Sequence, residues 1–536
     1  MKNLLLEYSR IPQIPKLFLE FLRFDSVQRF YTPYHRSCPS LTELARIRQR
    51  EKFPRREISA ALHHFNQRIE NHSAAVANSR KLAEEGTLAV VTGQQAGLFG
   101  GPALTIYKAI TAILFARKLS AEGFPAVPLF WVASEDHDFQ EIRETTFLDR
   151  ESELLELRLE DSAGHPLTAA QRLVGEQKAL TQRLGSFLRG LDHAGQVLEW
   201  IEQSYRAENS LSEAFARLLA SVLGSHGLVL LDASDPVLRM LSSRHYLRAV
   251  EQAERVDQLQ HSRIDELRAA GFEPQAHWEK NYTLLFHLDS SGRYAIRRSN
   301  GEFSTEERHW TVEELRQEME KDPEHFSPSA LLRPVVQDAV LPAAFYVGGP
   351  AEIAYFAQVQ ALSEVYGWVP VIQPRLSVTL LDPRACRYLE RNQLEVADLF
   401  CSLEELQQKI ALNSLQPDVF AEWNERSKRA RHELDSIFDV AARVDPTVAN
   451  AWKTSRKKID YQLEKTQKKL LKAVAGKNQL VKSQGSFLHN LVYPDEVLQE
   501  RRINFFSFYA RYGPALIQKL FSLSPCERFS HVVTLQ

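Results

Sequence analysis

The feature that most constrains the fold is a pair of apolar runs, each followed at once by a polar loop. Leu88–Thr92 precedes the glycine-rich stretch Gly93–Pro102, and Leu129–Ala133 precedes Ser134–Asp138. A short apolar run that breaks into a glycine-rich loop and then a helix is typical of an α/β sheet. In such sheets the ligand crevice lies beyond the carboxyl ends of the strands. The pattern therefore predicts an active site assembled from adjacent strands, with amides on one strand end and carboxylates on the next.

Further strand and helix signals extend this pattern along the chain. Pro102 opens an apolar helix that runs to about Leu119. Two runs that flank Asp289–Gly292 alternate as in a β-hairpin, and we expect this hairpin to be a small module inserted in the α/β domain. Three more apolar runs are candidate strands of the main sheet: Leu228–Asp232, Ala343–Val347 and Val369–Ile372.

From about residue 416 the pattern becomes purely helical, with seam positions at alternating steps of three and four. Asp445–Pro446 is a stop and restart signal between two arms. We therefore predict an antiparallel coiled-coil hairpin with a basic second arm. The predicted seams are Phe420, Ser427, Ala430, Leu434, Ile437, Ala441 and Val444, and then Trp452, Ile459, Leu463, Thr466, Leu470, Ala473, Lys477 and Leu480.

These signals divide the chain into four regions. Residues 1–86 are expected to be helical and to pack on the core. Residues 87–385 form the α/β core, with insertions at about 150–215 and 272–330. Residues 386–490 form the coiled-coil domain, and residues 491–536 return to the core.

Composition narrows the class of protein. The formal net charge of −2 gives no general attraction to nucleic acid or anionic membrane, and no long uncharged apolar stretch indicates a membrane span. The four cysteines, Cys38, Cys386, Cys401 and Cys526, are scattered without a CxxC pair. This spacing disfavours a disulfide scaffold or a thiolate zinc site and fits a cytoplasmic protein.

Two glycine-rich turns are candidate anion or nucleotide sites. Their glycines are Gly93, Gly97, Gly100 and Gly101 in the first turn, and Gly348 and Gly349 in the second. Glycine lets backbone approach a ligand, a following helix N-terminus favours an anion, and Lys108 is a candidate to reach back to it. Neither a Walker loop nor a dinucleotide fingerprint is present, so a tight strand–helix turn is the alternative. The amides of Gln94 and Gln95 favour a polar ligand contact.

The run Ser134–Glu135–Asp136–His137–Asp138 holds the candidate catalytic residues. Its carboxylates and imidazole could bind Mg²⁺, hold a substrate ammonium group or supply a general base. A capped, solvated turn that opens the next helix is the alternative. We assign no residue as a metal ligand.

Side chains near two later strands are candidates for substrate binding. Arg333 and Gln337 precede the Ala343–Val347 strand, Arg375 follows the Val369–Ile372 strand, and Glu352 and Tyr355 lie on the helix after Gly349. Arginine at a strand end suits a carboxylate or phosphate group because its two N–H pairs bind such groups bidentately. Surface ion pairing is the alternative for each arginine.

Taken together, these segments resemble the bacillithiol-biosynthesis cysteine ligase family. The segments that carry the resemblance are Val91–Gln95, Gly101–Pro102, Ile106–Ala109, Trp131–Asp138, Arg333–Pro334, Tyr346–Tyr355 and Pro374–Arg375. They occur in the expected order, and the chain length and the late coiled coil agree as well.

The resemblance implies a Rossmann-type core related to nucleotidyltransferases and class I synthetases, with inserted connecting segments and a coiled coil that supports a homodimer. It implies a ligase that joins L-cysteine to the amine of glucosaminyl-malate. Because amide formation from a free carboxylate is uphill in water, we expect ATP to activate the carboxylate, with ADP as a related ligand and Mg²⁺ as a candidate ion. The His-x-Gly-His and Lys-x-Ser-Lys signatures of the class I relatives are absent, so the position of the nucleotide stays open.

On this resemblance the residues receive hypothetical roles. The Gly93–Pro102 loop would hold nucleotide phosphate or the activated carboxylate. Glu135, Asp136, His137 and Asp138 would hold the cysteine ammonium group or act as base, and Arg333 and Arg375 would bind the malate carboxylates.

Two other functions stay open. One is a nucleotidyltransferase or another ATP-dependent ligase on the same fold, since a fold does not determine a substrate. The other is a non-enzymatic coiled-coil scaffold, which the polar residues concentrated at the strand ends disfavour. The basic coiled-coil arm lacks interleaved aromatic residues, so we expect no nucleic-acid partner.

Overall fold

The fold is seen in a computed structural model, which describes residues 2–32, 38–161, 166–175, 177–368, 370–414, 417–443, 445, 448–525 and 528–535. Its strands are β1 (Lys2–Glu7), β2 (Leu88–Gln94), β3 (Ala126–Val132), β4 (Glu144–Leu148), β5 (Leu154–Arg158), β6 (Val229–Asp232), β7 (Tyr282–Asp289), β8 (Gly292–Ser299), β9 (Glu302–Ser304), β10 (His309–Trp310), β11 (Phe326–Pro328), β12 (Ala343–Gly348), β13 (Ile372–Pro374), β14 (Val378–Leu381) and β15 (Phe529–Thr534).

The helices are α1 (Lys16–Arg23), α2 (Cys38–Arg48), α3 (Arg55–Arg68), α4 (Ser73–Lys81), α5 (Leu104–Ala121), α6 (Phe139–Ile142), α7 (Lys178–Phe187), α8 (Ala194–Ser204), α9 (Leu211–Leu223), α10 (Pro236–Glu251), α11 (Ala253–Ala269), α12 (Val312–Lys321), α13 (Arg333–Val340), α14 (Pro350–Val359), α15 (Ser363–Tyr366), α16 (Pro383–Arg391), α17 (Leu403–Ser414), α18 (Pro417–Ala442), α19 (Val448–Lys477), α20 (Gln479–Val492), α21 (Gln499–Arg502) and α22 (Phe506–Phe521).

A parallel sheet with the strand order β13–β12–β2–β3–β6 forms the centre of the described chain. Counted along the chain from β2, this order is the 3-2-1-4-5 arrangement of a Rossmann fold. The direction of winding reverses between β2 and β12, and ligands bind such sheets at this point. The predicted α/β parallel-sheet core is therefore confirmed.

The composition of β2 and α5 explains why this sheet is central. Leu88–Val91 of β2 are fully buried, and the helix predicted after Pro102 is buried around most of its circumference. The sequences of parallel strands that helices cover on both faces are continuous apolar runs and do not alternate between apolar and polar residues.

The predicted hairpin forms within a second, antiparallel sheet with the order β10–β9–β8–β7–β11. Strand β11 pairs with β7 just before α13. The hairpin is thus attached to the segment that leads back into the parallel sheet.

The expectation that residues 1–86 are helical throughout is wrong at the start. Strand β1 pairs antiparallel with β15, which pairs in parallel with β14. The partner of β1 lies more than 500 residues away in sequence, so no local pattern could predict it.

The predicted antiparallel coiled coil is confirmed in α18 and α19. Gln467 bonds Asn424, Arg431 pairs with Asp460, and the rings of Phe438 and Trp452 stack 5.4 Å apart. Partner numbers thus fall along one arm as they rise along the other. The predicted seam is wrong at Ala430, Ile437, Thr466, Ala473 and Leu480, which are exposed. Arg431 and Phe438 face the partner arm instead, and Leu480 lies beyond the second arm, in α20.

Some sequence predictions fall on Val369, Val444, Pro446 and Cys526, which lie outside the described residues. None of the described helices combines the length and the low charge that a membrane-spanning helix requires.

Candidate functional site

A cavity of about 290 Å³, cavity 1, opens at the point where the sheet reverses its winding. Its walls come from the ends of β2, β3, β12 and β13 and from α5, α13 and α14. The predicted site residues that line it are Gly93, Gln94, Gln95, Lys108, Asp136, Arg333, Gly349, Glu352, Tyr355 and Arg375. The sequence did not predict Trp131, Tyr346 and Arg501, which line it as well.

A buried ion pair forms the floor of cavity 1. The Lys108 ammonium lies 2.5 Å from Glu352 and donates to the Gly93 carbonyl at 2.9 Å and to the Gln94 side chain at 2.8 Å. Glu352 also accepts from the Tyr346 hydroxyl at 2.8 Å. Burial acts against ionisation, but Lys108 and these hydrogen bonds hold the pKa of Glu352 below its ordinary value. Because the Lys108 ammonium group already contacts three protein acceptors, it is not free to bind a phosphate.

Arg333 is a cation that remains available to a ligand in cavity 1. It donates to Gln337 at 3.0 Å and to the Tyr355 hydroxyl at 3.2 Å, and its guanidinium lies 5.0 Å from the Tyr346 ring centre. Within the described residues, no carboxylate comes within 4.0 Å of it. Gln337 does not line cavity 1, so its role toward Arg333 is orientation.

Arg375 has a different environment from the one that the sequence suggested. Two of its nitrogens donate to the Glu500 carboxylate at 2.8 and 3.0 Å, and both side chains are almost fully buried. Since its paired donors already meet a carboxylate, the contacts do not favour the prediction that Arg375 binds malate.

The predicted anion loop at Gly97–Gly101 needs correction. The amides of Gly97, Gly100 and Gly101 donate to the carbonyls of Gln95, Gly97 and Leu98, and none of the three glycines lines a cavity. The start of α5 is covered, because the Ala103 amide donates to the Ile503 carbonyl. This loop is a buried turn: a Cβ atom on Gly97 would lie 2.9 Å from the Cα atom of Gly101.

The second glycine turn is also largely satisfied internally. The Gly349 amide donates to Glu352 at 2.8 Å, as in a capping box. A Cβ atom on Gly348 would lie 2.7 Å from Ile372. Gly348 therefore serves close packing of β12 on β13, and only Gly349 reaches cavity 1.

A larger cavity of about 560 Å³, cavity 2, lies between the end of β3 and the β7–β8 hairpin. Asp136 and Arg333 line both cavities, so the two cavities meet there. Glu135 and His137 line cavity 2 together with residues in and just before the hairpin that the sequence did not predict as site residues: Trp278, Tyr282, Phe286 and Arg293.

Asp136 stands at this junction in a fixed orientation. Gln95 donates to its Oδ2 atom at 3.0 Å, and the Asp138 amide donates to its Oδ1 atom at 3.1 Å. Gln95 also donates to Glu141 of α6. The half-buried carboxylate keeps lone pairs for a ligand in either cavity.

Two members of the predicted catalytic run have structural roles instead. Asp138 is exposed, lines neither cavity and accepts from the Glu141 amide as the N-cap of α6. Ser134 is fully buried and bonds Asp232 and Ser234, which joins the ends of β3 and β6. The capped-turn alternative is thus the better description of these two residues.

Glu135 is a buried carboxylate with one oxygen that can still accept a hydrogen bond. Only 3% of the residue is exposed, and its Oε2 atom makes no hydrogen bond in the described structure. Burial raises its pKa above the ordinary value, although Arg239, Arg293 and Arg333 oppose the shift. A cationic ligand group in cavity 2 would satisfy this oxygen.

His137 faces the hairpin. Its Nδ1 atom lies 3.3 Å from a guanidinium nitrogen of Arg293, and its ring centre lies 5.8 Å from that of Phe286. Burial and Arg293 lower the pKa of His137 below 6.5, while Asp136 and Asp138 oppose them. The imidazole is therefore neutral at pH 7.

Sequence reasoning missed Tyr346 and Arg293 for different reasons. Tyr346 was assigned to a strand and to a segment that carries the family resemblance but not to the site, although it lies only two residues before Gly348. Arg293 follows the hairpin glycine, where alternation marks a strand and nothing local indicates a site.

The described residues offer one group with the proximity of metal ligands: His287, Glu318 and His325, whose ligand atoms lie within 4.8 Å of one another. Arg308 donates to Glu318 at 2.9 Å there, so the chain supplies its own cation. The carboxylates after β3 do not form such a group. The contacts of the described residues therefore assign no position to the Mg²⁺ ion or to the ATP phosphates that the sequence suggested.

Comparison with known proteins identifies the family. The family description "Bacillithiol biosynthesis BshC, N-terminal Rossmann-like domain" matches residues 3–376, and the corresponding "C-terminal coiled-coil domain" matches residues 378–535. Three relatives carry the name "Putative cysteine ligase BshC". The relative from Solibacter usitatus is 34% identical over 98% of both chains, and that from Koribacter versatilis is 31% identical over 96% of both. The relative from Salinibacter ruber is 32% identical over 94% of this chain and 93% of its own. The chain therefore belongs to the bacillithiol biosynthesis BshC family.

Proposed function

We propose that this protein is a cysteine ligase of bacillithiol biosynthesis that forms an amide between L-cysteine and the amine of glucosaminyl-malate. The names of its relatives support the ligase and the cysteine substrate. The observation that carries the proposal is the meeting of two cavities at Asp136 and Arg333. A reaction that joins two small molecules needs two subsites whose reacting ends come together, since positioning supplies much of the rate.

Cavity 1 suits the acidic acceptor. Arg333 presents a guanidinium that has no carboxylate partner among the described residues, and the exposed Arg501 lines the same cavity. Two cations at separate points of one cavity match the two carboxylates of a malate group. Arg375 adds positive charge nearby but remains bonded to Glu500.

Cavity 2 suits the amino acid. Glu135 and Asp136 offer carboxylate oxygens to the cysteine ammonium group, and Glu135 in particular has an unsatisfied buried oxygen. The carboxyl group of cysteine would then lie at the junction of the cavities. Asp136 is the only residue of the predicted acidic run that lines both cavities in the described structure, so we assign it the role of base toward the acceptor amine.

The bond-forming step follows from this arrangement. The amine nitrogen attacks the activated carbonyl carbon of cysteine, its proton passes to the Asp136 carboxylate, and the activating group leaves with its bonding electrons. ATP would supply that activation, with Mg²⁺ as its usual counter-ion, and we assign neither of them a position. A preorganised donor for the developing oxyanion is the remaining requirement.

Asp136→Asn tests the base, and Asp138→Asn is its matched control two residues away. Purified protein is incubated with glucosaminyl-malate, L-cysteine, ATP and Mg²⁺, and bacillithiol and the nucleotide products are measured by mass spectrometry. We expect product from the native protein, together with AMP or ADP. We expect a loss of at least about 100-fold in Asp136→Asn, because general-base catalysis contributes that much, and near-native turnover in Asp138→Asn.

Wild-type turnover in folded Asp136→Asn would contradict the assigned base. The absence of product from folded native protein, with all substrates present, would contradict the ligase proposal itself.

The proposed assembly is a cytoplasmic homodimer formed through the coiled coil. Ile437 and Val440 on α18 are about two-thirds exposed, which is unusual for large apolar side chains on a helix of an isolated hairpin. A second copy would cover them. Ile437→Glu should then shift the mass in solution from dimer to monomer in light scattering, and an unchanged mass would contradict this contact.

A further inference from the structure

Arg293 is a buried cation that the inserted hairpin brings to the edge of the parallel sheet. Its Nε atom donates to the Ser327 hydroxyl at 2.9 Å, one terminal nitrogen donates to the Pro328 carbonyl at 2.8 Å, and its guanidinium lies 3.8 Å from the Phe286 ring centre. Within the described residues, no carboxylate lies within 4.0 Å of it. Burying an unpaired charge is costly, so a specific role for this one is expected.

The remaining terminal nitrogen of Arg293 makes the contact with His137. Guanidinium nitrogens donate and never accept, and they keep their protons in proteins. The 3.3 Å contact with Nδ1 of His137 therefore requires a lone pair on Nδ1. In a neutral imidazole the proton then resides on Nε2, which bonds no other described residue and belongs to a ring that lines cavity 2.

The charges that face His137 favour the same state. Arg293 from β8 and burial disfavour the imidazolium, whereas Asp136 and Asp138 from its own loop favour it. The balance leaves the ring neutral near pH 7. Phe286 from β7 completes the surroundings without a charge.

We propose that Arg293 is a positioning residue that holds His137 as a neutral imidazole with its Nε2–H group directed at cavity 2. The consequence for the reaction rests on the proposed function. His137 donates a hydrogen bond to the carbonyl oxygen of cysteine as that oxygen gains negative charge. The amine proton goes to Asp136. His137 is thus the oxyanion donor and not the base. The inserted hairpin completes the active site through Arg293 rather than merely covering it.

The first test reads the state of His137 without any turnover. Full-length protein carrying ¹⁵N-labelled histidine is titrated by NMR, and His137→Gln identifies the resonance. We expect an Nε2–H tautomer at pH 7.5 and a titration midpoint below 6.5 in the native protein. We expect a higher midpoint and loss of the tautomer preference in Arg293→Gln.

Ser327→Ala is the matched control. It removes the Nε partner of Arg293 but keeps the guanidinium beside His137, so the tautomer and midpoint should remain native. An Nδ1–H tautomer in the native protein would overturn the proposal, even if Arg293→Gln failed to fold. An unchanged midpoint and tautomer in folded Arg293→Gln would also overturn it.

The second test connects this state to the reaction. Loss of one oxyanion donor costs about 100- to 1,000-fold in kcat, so Arg293→Gln should lose about 10- to 100-fold in kcat with a small change in KM for cysteine. Native kcat in folded Arg293→Gln would refute the role in catalysis. Native protein that makes no bacillithiol would refute the ligase proposal, while the NMR result would still decide the state of His137.

Discussion

Glu500→Gln removes one charge from a completely buried ion pair. The Glu500 carboxylate accepts from Arg375 at 2.8 and 3.0 Å, from the Ser377 hydroxyl at 3.2 Å and from the Val378 amide at 3.0 Å. The exposed fractions of the Arg375 and Glu500 side chains are 2% and 6%. The contact joins α21 to the β13–β14 connection beside cavity 1, so both stability and the site depend on it.

The expected cost follows from what glutamine cannot do. Glutamine has the same volume, but its NH₂ group would face N–H or O–H donors that the Glu500 carboxylate accepts from. It also leaves the Arg375 charge buried without a counter-charge. Breaking a buried pair in this way costs about 3–5 kcal/mol, whereas replacing both partners by apolar groups is often close to neutral. We therefore expect Arg375→Met/Glu500→Leu to be more stable than Glu500→Gln alone.

Urea unfolding followed by tryptophan fluorescence measures these differences. The slope for urea is about 3 kcal/mol per molar at the upper end of the range for small proteins and rises with chain size, so the midpoint of Glu500→Gln should fall by up to about 1.5 M. Glu151→Gln is the control, since it breaks an exposed pair with Arg384, and it should change the free energy of unfolding by less than about 1 kcal/mol. Equal midpoints for Glu500→Gln and Glu151→Gln, or a double variant less stable than Glu500→Gln, would refute the reasoning.

Two further predictions concern Gly93 in β2 and Asp338 in α13. In Gly93→Ala the new Cβ atom would lie 2.7 Å from the Trp131 carbonyl oxygen, so we expect a loss of about 1–3 kcal/mol from overpacking, and an unchanged thermal midpoint would contradict it. Asp338 is buried beside Arg48, and burial raises its pKa to about 6 in spite of that partner. The folded protein therefore holds a proton there between about pH 4 and 6 that the unfolded chain has lost, so this group lowers stability as the pH rises through that range. Relative to the native protein, Asp338→Asn should gain on the order of 3 kcal/mol between pH 4 and 7, and a constant difference across that range would show that the pKa is not raised.

The parallel sheet was predictable because its strands carry their own signals. β2, β3, β6 and β12 are uninterrupted apolar runs that end in polar or glycine-rich loops, and helix α5 begins just after its initiating proline. The coiled coil was predictable in type and direction but not in detail. Its seam includes charged residues such as Arg431, whose pairing with Asp460 no apolar periodicity can reveal.

The location of the candidate site at the strand ends was predictable, but which of its residues face a ligand and which have structural roles was not. Residue type at a strand or helix end predicted Asp136, Arg333 and Glu352 as site residues, and they do line the cavities. Gly100 and Ser134 shared the same signals and became buried structural groups. The difference depends on residues from distant parts of the chain: the Tyr205 hydroxyl accepts from the Gly100 amide, and Asp232 bonds Ser134.

The sequence by itself determined the α/β core, the coiled coil and the crevice where polar strand ends gather, because hydrophobic periodicity and turn residues act over short distances along the chain. Only the tertiary structure decided which polar groups remain available to a ligand. Arg375 meets a glutamate more than a hundred residues away, whereas Arg333 and Arg293 meet no carboxylate among the described residues, and no local sequence pattern distinguishes these cases. Burial and pairing set the charge that a site can offer, and both are properties of the packed chain.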